Sequence, residues 1–149
     1  MNKQWLLVRR PVGLPHPADF EWRETAVSEL ADDDVLVRVL QLSLDPASRG
    51  WMMDRKSYLP PVALGEVMRG IGIGVVEASK SDVLPVGTLV QGMLGWQTHC
   101  VAPAQRMTAL PEIPGMALDA YLAVLSHIGL TAYFGLLDIT DPQAGETIV

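Results

Sequence analysis

Four glycines fall within the eleven residues 65–75, at positions 65, 70, 72 and 74, and the stretch runs on into Val75-Val76-Glu77-Ala78. Such a density of residues without a Cβ suits a tightly bent segment that brings its backbone close to a neighbour and then enters a strand. A glycine-rich bulge inside a curved sheet satisfies the same pattern. Both readings make this segment the centre of a β domain.

The flanking sequence supplies the strands. Residues 4–9 read as a strand ending at Arg10-Pro11, and Pro11, Gly13, Pro15 and Pro17 make a turn-rich loop. Residues 20–27 begin with alternating apolar and charged side chains, the pattern of a half-exposed strand. Asp32-Asp33-Asp34 reads as an acidic turn, because three adjacent aspartates on an extended backbone cannot converge on one ion. The β-branched run 35–44 predicts a central strand covered on both faces. Asp45 is placed as an N-cap with Pro46 at the first helical position, predicting a short helix through Met53. Two further strands, 88–94 and 97–102, join at Gly95-Trp96, and 107–111 adds another. Many short strands separated by Gly and Pro indicate a compact, barrel-like β domain.

The pattern changes near residue 115. Residues 119–126 and 130–137 carry helical periodicity around Gly129. After the loop 141–146, Thr147-Ile148-Val149 starts an apolar strand that no turn or cap residue closes. The expected division is a domain over 1–118, followed by linking helices and the start of a further domain over 119–149.

Bulk properties exclude several classes. A composition 49% hydrophobic and 19% charged is that of a folded globular chain. The net charge of −6 argues against a nucleic-acid partner, whose phosphates need a basic face. The single cysteine, Cys100, leaves no internal disulfide and no multi-cysteine zinc site, which fits a reducing cytoplasm. The most apolar region, 117–137, is interrupted by Asp119, Ser126, His127, Gly129 and Thr131, so no membrane span is expected. His99 and Cys100 are adjacent and would point to opposite faces of a strand, which suits ordinary strand residues better than a metal pair.

Three stretches together resemble the medium-chain dehydrogenase/reductase superfamily. They are 44–52 (Leu44-Asp45-Pro46-Ala47-Ser48-Arg49-Gly50-Trp51-Met52), 65–70 (Gly65-Glu66-Val67-Met68-Arg69-Gly70), and 129–138 (Gly129-Leu130-Thr131-Ala132-Tyr133-Phe134-Gly135-Leu136-Leu137-Asp138) with 144–149. Gly95-Trp96-Gln97 and Leu59-Pro60-Pro61-Val62 agree, so the resemblance covers essentially the whole chain. The branch it is most similar to is the zinc-independent, NADP-dependent double-bond reductases, which includes prostaglandin reductases and bacterial curcumin reductases. The resemblance implies a mainly β, GroES-like, partly open barrel with a few short helices. Linking helices and the truncated first strand of a Rossmann domain would follow.

The departures from zinc-dependent relatives are specific. Where those enzymes carry Gly-His-Glu, this chain has Gly65-Glu66-Val67, and Asp45 stands near their ligand cysteine. Their clustered structural-zinc cysteines are absent, so no tetrahedral N/S site can be assembled and no zinc is expected. Many relatives carry tyrosine at the position of Ala47 and methionine at Ser48, which implies a roomier or differently shaped pocket here.

By resemblance, the full-length enzyme would bind NADP(H), mainly through the further domain. It would reduce the C=C bond of an α,β-unsaturated ketone or aldehyde by hydride transfer. Thr131 and Ile128 are the candidate cofactor contacts; Thr131 reads equally as a helix cap. Ala47, Met68, Trp96 and Gln97 are the candidate substrate-facing residues, with Trp96 equally a core plug and Met68 equally core filler. No catalytic acid or base is assigned within these residues, so the chain alone is expected to be inactive. A homodimer is expected of the full-length protein. Artificial self-association is expected of this chain through Leu130, Phe134, Leu137 and Val149, which would lose partners from the further domain. A quinone reductase of the same superfamily, a zinc alcohol dehydrogenase and a non-catalytic GroES-like binding module are the alternative readings.

Overall fold

The computed structural model describes residues 1–149 and divides into two compact units, residues 1–111 and 112–149. The first holds every strand. A two-stranded sheet pairs β1 (Asn2–Leu7) with β2 (Phe20–Thr25), placing Trp5 opposite Trp22. A five-stranded antiparallel sheet takes β3 (Asp34–Leu42), β4 (Gly72–Ser79), β5 (Leu89–Gly92), β6 (His99–Pro103) and β7 (Met107–Ala109) in the order β6-β3-β4-β5-β7. Isolated bridges Gln4–Gln97 and Leu6–Val67 tie the hairpin to the larger body. The expected mainly β, partly open barrel is therefore present.

The glycines explain how the sheet curls. The β3–β4 register slips between Leu36 and Val37 and again between Val39 and Gln41. Such bulges bend a strand and increase its twist. Gly74 lies at this bend, where an added Cβ would strike Val37 Cγ1 and sit 2.5 Å from the Arg38 carbonyl oxygen. Both readings of the segment hold: at 72–74 the sheet is bulged and curved and its backbone lies close to β3, and at Gly65 the chain bends, with a φ of +86°.

Two apolar clusters fill this unit. Val35, Val37, Val76, Leu84, Val90 and Leu94 form one beneath the five-stranded sheet. Leu7, Trp51, Met52, Val62 and Met68 form the other. The expectation that β3 is covered on both faces is corrected. Val35 and Val37 are buried, but Arg38 is exposed and pairs with Glu77 at 2.6 Å. An antiparallel sheet needs only one covered face, and alternation along β3 keeps the other solvated.

Buried polar groups pin the loops. Asp19, 1% exposed, accepts from the His16 amide at 2.8 Å and from Arg9 Nε at 2.6 Å. The His16 N–H foremost, with Arg9 beside it, holds the Asp19 carboxyl below its ordinary value despite burial. Cys100 faces the core while His99 lies on the opposite face, within 3.4 Å of Glu77; burial pushes the Cys100 thiol up.

The first unit contains one α-helix, α1 (Pro46–Trp51), and the second contains α2 (Leu118–Ala123), α3 (His127–Phe134) and a π-helical turn over Gly135–Thr140. The buried side chains of the second unit are Tyr121, Leu122 and Ser126, and α3 buries none. Leu130, Phe134, Leu137 and Val149 are all exposed. Thr147–Val149, expected to begin a strand, has no strand pairing within this chain. No helix is long and apolar enough to cross a membrane.

Candidate functional site

Ala47, Met68 and Trp96 meet in one apolar cluster. Pro46 opens α1 (Pro46–Trp51), which places Ala47 at its second position, partly buried against that cluster. Asp45 takes the extended cap conformation but makes no side-chain capping bond. Met68 is wholly buried and held at both peptide groups: its N–H donates to Trp5 O, and its carbonyl accepts from Trp96 N, each at 2.8 Å.

Trp96 follows Gly95, whose φ of +74° turns the chain out of one strand and towards the next. Its indole stacks on Phe20 at a centroid distance of 5.4 Å. It also passes over Gly70, where an added Cβ would lie 2.8 Å from the ring. Trp96 also lines an apolar cleft of about 370 Å³, walled also by Trp5, Trp22, Leu42 and Leu44. Trp96 thus plugs the core and walls a cleft at once.

Gln97 is held by its neighbours. Its amide oxygen accepts from Asn2 Nδ2 at 2.9 Å and Gln4 Nε2 at 3.0 Å, and its nitrogen donates to Leu94 O at 2.7 Å. Its second amide N–H makes no hydrogen bond within the chain. Gln97 borders both the apolar cleft and a second one of about 210 Å³, lined also by Glu66, Arg69 and Met93. Arg69 lies over the Trp51 ring, 5.5 Å from its centroid, and donates to Pro60 O at 2.9 Å.

Thr131 and Ile128 lie in the second unit. Placing Thr131 at the start of its helix is corrected: Ser126 is the cap, its oxygen accepting from the Ile128 amide at 3.3 Å. Thr131 sits a turn further on and donates to His127 O at 2.6 Å, which leaves its hydroxyl oxygen as an acceptor. Ile128 is 40% exposed. No group of three or more His, Cys, Asp or Glu side chains is placed to hold a metal ion.

The sequence reading passed over Trp5, Trp22 and Leu44 as cleft walls. Pairing residues 4–9 with 20–27 across the proline-rich loop would have set Trp5 beside Trp22, whose rings meet edge to face at 4.9 Å. Arg69 had no comparable local signal, because Trp51 lies in a different element.

Residues 3–110 match the model of a family described as the N-terminal domain of oxidoreductase. The chain is 40% identical over 151 residues to the NADPH-dependent curcumin reductase of Escherichia coli (strain K12), covering 99% of this chain and 43% of that protein. It is 35% identical over 149 residues to prostaglandin reductase 1 of Bos taurus, with the same two coverages. It superposes with a TM-score of 0.86 and 37% identity on the crystal structure of CurA from Vibrio vulnificus in complex with NADPH, covering 97% of this chain and 42% of that one. The chain therefore spans less than half the length of these relatives.

Proposed function

The chain belongs to the family of oxidoreductase N-terminal domains, in the double-bond reductase branch of the medium-chain dehydrogenase/reductase superfamily, and we propose that it forms the substrate-facing part of an NADPH-dependent reductase of α,β-unsaturated ketones and aldehydes. The observation that carries this reading is the 40% identity to a curcumin reductase over a stretch that covers 99% of the chain and so spans the positions of the proposed site residues. Bound NADPH would supply a hydride to the β-carbon of the enone.

This chain's own residues would shape and orient the substrate. Trp96, backed by stacked Phe20 and seated on Gly70, offers a flat wall held in one position. Ala47, half-buried against the same cluster as Trp96, would set by its small side chain how much room stands beside that wall. Met68, wholly buried, would act by packing behind the wall. Gln97 has its oxygen engaged by Asn2 and Gln4, so it would meet a substrate oxygen as a donor through its remaining N–H.

Towards the cofactor, the Thr131 hydroxyl proton is already given to His127 O, so it would accept from a carboxamide N–H. Ile128 would offer an apolar contact to the nicotinamide. No residue here takes the role of general acid or base. The 149-residue chain alone is therefore expected to reduce no enone and to bind NADPH weakly; micromolar binding in a fluorescence titration would contradict this.

A chimera tests the activity. Residues 1–149 would replace the matching part of the Escherichia coli curcumin reductase, and NADPH oxidation would be followed with an enone and with a quinone. Enone reduction that outpaces quinone reduction is the expected result. A soluble chimera that binds NADPH yet reduces no enone, or prefers the quinone, would overturn the proposal.

A further inference from the structure

The outer edge of β2 is unpaired and its sequence is complementary to itself. The hairpin sheet contains β1 and β2 alone. Along β1, the odd-numbered residues turn their peptide groups away from β2. Trp5 bonds to Trp96 O and Met68 N, Leu7 to Glu66 O and Gly65 N, and Lys3 O accepts from Thr98 N. With Trp5 opposite Trp22, the bonds between the strands must run through the even-numbered residues of β1, Gln4 and Leu6, and their partners Arg23 and Glu21. The peptide groups of Trp22 and Glu24 therefore point outward along the free edge. The Phe20 N–H bends back to Pro17 O, leaving its carbonyl available.

We propose that this edge is an interaction surface for a second copy of the chain, the two β2 strands pairing antiparallel about a two-fold axis at Trp22. In that register Trp22 exchanges both its peptide bonds with the Trp22 of the second copy, and Glu24 N–H reaches the opposite Phe20 carbonyl. Glu21 then stands across from Arg23 of the other copy, twice over, in the pair type that brings side chains nearest. Within one chain these two are half exposed and bond each other at 2.7 Å. Centring instead on Glu24 would oppose two glutamates, and centring on Phe20 would oppose Glu21 to Asp19. Trp22 is the centre that joins outward-facing peptide groups and opposite charges together. Charges on an edge strand normally discourage pairing; here the pattern meets its own complement. The exposed Trp5–Trp22 pair, 42% and 46% accessible, would continue into its symmetry mate as one aromatic row.

Sedimentation velocity and hydrogen exchange on the 149-residue chain test this. The expected result is association accompanied by protection of the Trp22 and Glu24 amides that grows with protein concentration. Glu21→Arg or Arg23→Glu alone should weaken association by at least about tenfold, since each opposes like charges in both cross-strand pairs. The double variant should restore it. Circular dichroism of each variant establishes that the fold is intact, and the double variant keeps the composition of the edge. A monomer at every concentration would overturn the proposal. So would association that ignores these substitutions and leaves the Trp22 amide unprotected, which would locate the contact at another surface such as the exposed helix face or engage a partner other than β2.

Discussion

Replacing Gly74 by alanine tests whether close backbone approach, rather than conformational freedom, explains the glycine-rich segment. The added Cβ would meet Val37 Cγ1, which a side-chain rotation relieves, and the Arg38 carbonyl oxygen at 2.5 Å, which only movement of β3 relieves. Overpacking of this kind costs about 1–3 kcal/mol. Reduced freedom of the unfolded chain returns about 0.4–1 kcal/mol. The net loss is on the order of 1–2 kcal/mol. With an unfolding entropy of about 2.1 cal/mol/K per residue over a unit of about this size, each kcal/mol lowers the midpoint by roughly 4 °C. Gly74→Ala should therefore lower Tm by roughly 4–9 °C in a calorimetric scan. Gly50, inside α1, has nothing within 4 Å of its hypothetical Cβ. Gly50→Ala should raise Tm by a few degrees, through a gain of about 0.5–1 kcal/mol. Equal shifts of the same sign in the two variants would refute the reasoning.

Gln97→Leu should destabilise by about 1–3 kcal/mol, read from the urea midpoint, because it strips partners from Asn2, Gln4 and the Leu94 carbonyl; an unchanged midpoint would show that these bonds are idle. Asp19 has a folded pKa below its unfolded value, so its stabilising contribution is complete above about pH 3.9 and is lost as pH falls through the lower folded value. Asp19→Asn should flatten the pH dependence of stability in that acid range, and an identical slope would count against the buried pairing. Cys100, buried and with its thiol pushed up, should react with a disulfide reagent far more slowly in the native protein than in urea; equal rates would contradict its burial.

Local patterns in the sequence located most elements. The helix opened by Pro46, the turn at Asp32-Asp33 and the strands flanking Gly95 were legible because each depends on a few adjacent residues. Asp33 adopts the left-handed φ of +64° that aspartate tolerates, and Asp34 caps the turn by accepting from the Ala31 amide. The run 35–44 misled because its many apolar residues conceal an alternation that only Arg38 reveals. Thr131 was displaced by the competing cap at Ser126, five residues earlier. Asp19 with Arg9, and Asn2 with Gln97, were invisible: those partners lie 10 and 95 residues apart, and no local period encodes such pairs. At the candidate site, Ala47, Met68 and Trp96 came together as one cluster. The walls contributed by Trp5 and Trp22 required strand pairing to be seen.

Substrate selectivity of the chimera probes the proposed function at its narrowest point. If Ala47 keeps the pocket roomy, Ala47→Tyr should lower kcat/KM for a bulky diaryl enone relative to a small alkenal by about tenfold or more, the effect of filling a pocket by a few heavy atoms. The KM for NADPH should stay unchanged. A ratio that does not move, or a loss confined to NADPH binding, would contradict the claim that this chain walls the substrate.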